Sequence, residues 1–319
     1  MRKMKIYFAA VAAIALEFLQ RALWPVKQYV EKYLQFHADT AYKTQYRQEF
    51  IAGFEQHQSL MRDLVTTEAV INGNQAVFLV ADSGPNAAAV TRGVNGLIPA
   101  RNDNLAQNTC TLQEWHDLVR KTNFNVFASQ GNQRAIMQMT SMGVLNRKVD
   151  EQIINELNTG TVTIGSSTTI PSVSLFQNGV VKLQNAGVPW DSNISLVCNP
   201  AFLAYMEQQP EFSSAKYIEM RPYAGQNMSW RDKPMAYQWR SALICVHPNL
   251  PGKGTSSEKN FLFHKTAIGQ AANQAGLEAL IGLNEEQAYS WARTTCYMGA
   301  KLLQNTGIVV ITADGSAYS

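Results

Sequence analysis

Residues 235–273 read MAYQWRSALICVHPNLPGKGTSSEKNFLFHKTAIGQAAN. An apolar run at 242–246 stops at His247-Pro248. A loop of turn residues follows (Pro251-Gly252-Lys253-Gly254-Thr255), and a second apolar run, Phe261-Leu262-Phe263, leads into 264–269. Short apolar runs bounded by turn chemistry suit strands covered on both faces, so this stretch predicts two strands of one central sheet. Gly252-Lys253-Gly254-Thr255 echoes part of a phosphate-binding loop. That pattern needs Gly where His247 stands and Ser or Thr where Gly254 stands. Cys245, His247 and His264 suggest a zinc site only in part. No fourth ligand has motif spacing and two of the three lie in strand contexts, so core or loop roles are expected. The stretch speaks of shape rather than chemistry.

The composition agrees. The chain has 319 residues, 46% of them hydrophobic and only 16% charged, against about 25% in ordinary soluble domains. With Asn and Gln abundant, much of the surface is neutral, which favours a protein that buries surface against partners. The net charge of +3 is too mild for direct nucleic-acid readout. Cys110, Cys198, Cys245 and Cys296 are far apart with no CxxC pair, so buried reduced thiols are expected rather than a zinc knuckle or a disulfide framework. No G-x-S-x-G, H-E-x-x-H or G-x-G-x-x-G occurs. No catalytic residue, cofactor site or metal site is therefore assigned.

At the N-terminus, Arg2, Lys3 and Lys5 precede an apolar run at 6–16, and Glu17, Gln20 and Arg21 follow at once. The run is shorter than the ~20 residues needed to span a bilayer. It reads first as an apolar helix that docks on protein, with an exported or anchored segment, which the basic-then-apolar order resembles, as the alternative. Pro25 opens a second helical stretch with Val26, Tyr29, Val30, Tyr33 and Leu34 on one stripe, and Tyr46, Phe50, Phe54 and Met61 continue helical spacing through 41–65.

The period then changes. Ala69-Val70-Ile71 and 76–80 flank Asn72-Gly73, which predicts a hairpin. Residues 82–108 carry turn signals and little core pattern, with Arg92 and Arg101 exposed. About 27 such residues exceed an ordinary loop and read as an extended arm that finds its partners on another subunit. Residues 109–127 read as strand again, including Phe124, Val126 and Phe127. Ile136, Met139, Met142, Leu145, Val149, Ile153 and Leu157 predict a helix over 130–158, a rod of roughly 40 Å, ended by Gly160. Met137, Met139 and Met142 read as core filler. A Thr/Ser-rich loop or edge strand (161–170), a helix (173–186), a strand (194–197), a helix opened by Asn199-Pro200 and a final β-branched strand (308–311) complete the chain.

Certain words within this order (45–65, 113–138, 261–270 and 298–303 followed by 308–311) resemble the major capsid proteins of tailed double-stranded-DNA bacteriophages, whose fold encapsulins share. The resemblance covers about residues 41–319. It implies an α+β fold with an N-terminal arm, an extended two-stranded loop, a long spine helix with a peripheral-domain sheet, and an axial α+β domain. The division it implies is an arm with helices at 1–66 and peripheral strands at 67–127 carrying the extension loop at about 82–108. The spine helix and its following loop occupy 128–170, the axial domain 171–284 and C-terminal peripheral strands 285–319. It implies a structural head protein, not an enzyme, that assembles with itself into hexamers and pentamers of an icosahedral shell. Further implied partners are a separate scaffolding protein, a portal, decoration proteins and packaged double-stranded DNA held non-specifically, with no membrane. The place implied is the virion, after synthesis in the host cytoplasm. Arg92, Leu97, Ile98, Arg101, Trp115 and Lys253 are the expected inter-subunit contacts. An encapsulin-like compartment shell is the alternative, with an enzyme bearing an apolar N-terminal anchor behind it.

Overall fold

The computed structural model describes residues 58–83, 88–96, 98, 100, 104–128, 132–213 and 236–318, together with Glu17, Leu23 and Gln56. Apart from Glu17 and Leu23, which are helical, the helical readings over 1–55 lie outside the described residues, as do the expectations for Leu97 and Arg101; over 58–65, where the helical reading continued, the chain makes bends and a single 3-10 turn at Arg62–Leu64 instead of an α-helix. The chain divides into two units, 1–51 and 52–319; the second is described below.

Two sheets and one long helix organise it. The first sheet is built on β12 (Tyr289–Leu302), the longest strand. One flank of β12 pairs antiparallel with β4 (Gln113–Thr122). The other flank pairs with β10 (Ile268–Asn273) and then β11 (Glu278–Asn284). β10 and β11 thus act as one strand broken at 274–277. β1 (Thr66–Val70) adds in parallel outside β10. The second sheet has the order β5 (Thr163–Gly165), β13 (Ile308–Ala313), β9 (Glu258–His264), β6 (Ile194–Cys198), β8 (Ala242–Val246), β7 (Ala236–Trp239).

The opening stretch lands as expected, since β8 and β9 share one sheet. They are not neighbours: β6 lies between them, parallel to β8 and antiparallel to β9. Both faces of this sheet are covered, which explains unbroken apolar runs without alternation. Val197, Phe261, Phe263, Ile308 and Val310 point to one core, shared with Leu145, Val149, Ile153 and Leu157. Leu196, Ile244, Leu262, Val309 and Ile311 point to another, against Phe176, Leu183, Phe202 and Met206.

The spine is α2 (Gln133–Leu157), preceded by a short α1 (Asn123–Ala128). Asn132 caps α2, its Oδ1 accepting from the Ala135 N–H at 3.3 Å. α3 (Val173–Asn185) is capped likewise by Ser172, and α4 (Pro200–Glu207) starts with Pro at its first turn. A final short helix, α5 (Pro210–Ser213), follows.

Several expectations are corrected. Asn72-Gly73 does not close a hairpin: β1 pairs with β10, while β2 (Gln75–Asp82) pairs with β3 (Asn104–Thr111) in a separate two-stranded sheet. Residues 123–128 are helix, not strand, because the ladder with β12 ends at Thr122↔Tyr289. The C-terminal segment 285–319 does not stay together. β12 belongs to the first sheet, whereas β13 pairs with β9 and β5 in the second. Conversely β10 and β11, expected in the axial segment 171–284, belong with β12. Pairing partners far apart in sequence decide this, and local pattern does not carry it. Gly160 is not left-handed; an added Cβ would crowd Ile308 Cγ2 at 3.1 Å and the Leu157 carbonyl at 3.2 Å.

Candidate assembly surfaces

β2 and β3 form a ladder from Gln75↔Thr111 to Asp82↔Asn104. Opposed residues share a face and alternate. One face seats on its own subunit: Ala76 and Cys110 pack with Ala271, and Phe78 lies over Gly269, where a Cβ would sit 2.9 Å from its ring. The opposite face carries Val77, Leu79 and Leu105, which are 52%, 62% and 59% exposed. A strand pair that buries one face and leaves a second apolar face bare has one surface to spare.

The spine helix has a matching deficit. Its C-terminal half buries Val149, Ile153 and Leu157. In its N-terminal half the buried residues are Met137, Ser141, Gly143 and Leu145, so the covered side has rotated. This leaves Ala135, Met139 and Met142, at i, i+4 and i+7, exposed or half-buried. The sequence stripe Ile136, Met139, Met142 is therefore real as a pattern but is not core within one subunit. Met137 alone of the three methionines is fully buried. α1 adds Phe124 and Phe127, 74% and 87% exposed, at i and i+3.

The root of the N-terminal segment is fixed to the spine by Asp150. Its carboxylate accepts from the Leu60 N–H at 3.0 Å, the Met61 N–H at 3.1 Å and the Ser59 hydroxyl at 2.5 Å. The Gln56 amide and His247 Nε2, the latter at 3.2 Å, complete the set. Arg147 Nη1 donates to the Gln56 carbonyl at 2.9 Å. Burial pushes the Asp150 carboxyl up, but the His247, Leu60 and Ser59 hydrogen bonds outweigh it and hold it below the usual carboxylate range.

Of the six expected contacts, Arg92 and Ile98 are exposed beyond the hairpin strands, and Lys253 is exposed on the β8–β9 loop. Trp115 is different. It is half-buried, packs on the spine core, and has Lys148 Nζ 4.4 Å from its ring centre. The four described ones lie on different elements: the hairpin loop, β4 and the β8–β9 loop. Residues that the sequence reading passed over are Val77, Leu79, Phe124 and Phe127. The i, i+3 phenylalanine spacing was an available signal; the apolar run at 76–81 does not alternate, so the sequence did not show which of its faces stays bare.

The chemical motifs dissolve in context. His247 faces Asp150, and His264 Nε2 lies 3.0 Å from Asp191 Oδ1. Among the described residues no group of three or more His, Cys, Asp or Glu could hold a metal. In the phosphate-loop echo, the Gly254 N–H donates to Glu258 Oε1 at 2.8 Å. The protein's own carboxylate fills the place an anion would take. Burial pushes that carboxyl up, the Gly254 bond offsets part of this, and nearby Asp314 adds to the rise. No helix among the described residues is long and apolar enough to cross a membrane.

A sheet on a long spine helix, a second lobe covered on both faces and a projecting hairpin with a bare apolar side define a shell-building class of subunit. The comparisons agree. The profile of the Phage capsid protein family matches residues 38–314, and the chain belongs to that family. A structure from Mycobacterium phage Che8 superposes with TM-score 0.61 at 16% identity, covering 86% of this chain and 97% of that one. The capsid of Ralstonia phage GP4 gives TM-score 0.65 at 10% identity, covering 86% and 96%. The holo-SrpI encapsulin complex from Synechococcus elongatus PCC 7942 gives TM-score 0.60 at 10% identity, covering 88% and 96%. No curated protein matches significantly. The chain is a structural major capsid protein of the phage type; its family and fold are those of shell proteins rather than enzymes, and its place is the virion.

Proposed function

We propose that copies of this chain assemble into the hexamers and pentamers of an icosahedral shell around double-stranded DNA. In each contact the bare face of the β2–β3 hairpin covers the exposed N-terminal half of the spine helix on the next copy. One observation carries this reading: the hairpin buries Ala76 and Cys110 and half-buries Phe78 on its own subunit while Val77, Leu79 and Leu105 stay uncovered. Burying apolar surface is worth roughly 25 cal/mol per Å², so two uncovered apolar surfaces on one molecule favour pairing between copies. The six expected contacts belong here as proposals, with Arg92 and Ile98 on the hairpin loop best placed. A separate scaffolding protein, a portal and decoration proteins are the further partners of this reading. DNA contact would be non-specific, through scattered Lys and Arg, and synthesis would take place in the host cytoplasm.

Deleting residues 84–104 tests it. The deletion removes the hairpin loop and the first residue of β3 but leaves the two larger sheets whole. The expected product is folded by circular dichroism, elutes as a small species and forms no shells. An unfolded product would overturn the assignment of this stretch as an arm.

The encapsulin likeness supports a second reading, a compartment around protein cargo. Purified shells that hold protein and no nucleic acid would favour it.

A further inference from the structure

Where the hairpin joins the body there is a cleft of about 640 Å³. Its walls come from the β1–β2 connection, the β3–β4 junction and the break between β10 and β11. Amides line it (Asn72, Asn74, Gln113, Gln274), with two carboxylates, Glu114 and Glu278, and no Lys or Arg. The ladder explains the pairing of the carboxylates. Glu278 is opposite Thr295, and Thr295 is opposite His116; Glu114 is opposite Tyr297, two residues along on the same strands. Both therefore rise from one face of the sheet, with Tyr297 between them and the rim. Glu114 has His116 as a neighbour at 2.9 Å. Glu278 has no ion-pair partner among the described residues. Such a cleft suits one extended segment that carries a cation flanked by apolar side chains.

The same molecule offers such a segment. Val90, Arg92 and Val94 are all exposed beyond the hairpin strands. The strands carry this segment away from the cleft of its own copy. β2 has eight residues paired along their whole length with β3, so the tip projects roughly 25 Å from the root. We propose that Arg92 of one copy enters the root cleft of a second copy, with Glu278 and Glu114 as its counter-charges. This rests on the hairpin-overlap reading above and names the landing site of its tip. A buried, well-placed charge pair fixes register and excludes wrong pairings, which suits an arm that must stop at one position along its neighbour.

The test uses the full chain and shells purified from cells that produce it. Arg92→Glu and Glu278→Arg are each expected to lower shell yield about tenfold or more, and the double variant to restore it to within about twofold. Independently, Arg92→Cys with Glu278→Cys should yield a subunit-to-subunit disulfide ladder in oxidised shells, with neither single variant doing so; the four native cysteines are buried. A disulfide requires Cα atoms within about 7 Å, so the ladder reports contact directly and does not depend on yield. If wild-type shells form but the swap does not restore yield and no ladder appears, the inference is overturned and the shell reading stands. If Arg92→Glu assembles normally, the cleft belongs to another occupant and the inference is likewise overturned. If the wild-type chain makes no shells, the shell reading fails first and this inference with it.

Discussion

His247 Nε2 donates to Asp150 Oδ2 at 3.2 Å, with both side chains at most 2% exposed. His247 Nδ1 accepts from the Asn249 N–H at 3.1 Å, so the ring proton sits on Nε2. The pair joins three distant parts of the chain: the spine helix, the loop after β8 and the segment 56–61 that leads in from the N-terminal region. Asp150→Ala would leave several buried donors without an acceptor, at a cost of about 3–5 kcal/mol. Urea unfolding should show that loss, and Asp150→Asn should fall between, since its amide can accept only on one side.

The same carboxylate sets a pH dependence. Its folded value lies below the ordinary one, so its contribution is fully present above the unfolded value of about 3.9 and disappears as pH falls through the lower folded value. The stability gap between wild type and Asp150→Asn should therefore be constant from pH 8 to pH 5 and close below about pH 4. A gap that widened in acid would contradict the assigned role.

Glu258 has the opposite sign. Burial raises its carboxyl, so its contribution is complete below the unfolded value of about 4.3 and is lost as pH rises through the higher folded value. Among the described residues its Oε2 has no hydrogen-bond partner. Relative to wild type, Glu258→Gln is expected to be more stable at pH 8 than at pH 4, measured by thermal melts at both.

Two glycines separate backbone strain from crowding. Gly165 has φ +76 and an added Cβ would sit 2.1 Å from the Thr312 carbonyl oxygen, across the β5–β13 pair; Gly187 has φ +78 and open space. Gly187→Ala should cost about 1 kcal/mol for the left-handed backbone alone. Gly165→Ala should cost about 2 kcal/mol or more, because backbone must move as well. Equal melting shifts would contradict the β5–β13 register.

Val77→Ser with Leu79→Ser, and separately Phe124→Ser with Phe127→Ser, change exposed side chains. Subunit stability should move by no more than about 0.5 kcal/mol per site. Shell yield should fall sharply for the hairpin pair and measurably for the α1 pair. Loss of fold in either would mean that these faces are covered within the subunit.

What the sequence made legible follows from how local each signal is. β8, β13 and the Phe261-Leu262-Phe263 core of β9 declared themselves as apolar runs because both faces of their sheet are covered, and β6 did so despite Ser195. The C-terminal half of the spine declared itself because Val149, Ile153 and Leu157 keep one side buried over successive turns. The N-terminal half misled, since its apolar stripe continues while the subunit's own cover moves to Met137, Ser141 and Leu145. Lobe membership was not legible: Ile308–Ala313 and Tyr289–Leu302 are adjacent in sequence yet pair in different sheets. Nor was the Asp150–His247 contact, which spans 97 residues. Arg92 was legible as exposed, but the cleft proposed for it exists only once three chain junctions meet.

The central claim is that this chain builds shells, and electron microscopy of the purified protein in negative stain tests it most directly, with size-exclusion chromatography of the same sample. Closed shells, or five- and six-membered rings, are the predicted result. A folded chain that stays monomeric at high concentration, and still does so when produced with the other head proteins of its phage, would contradict it.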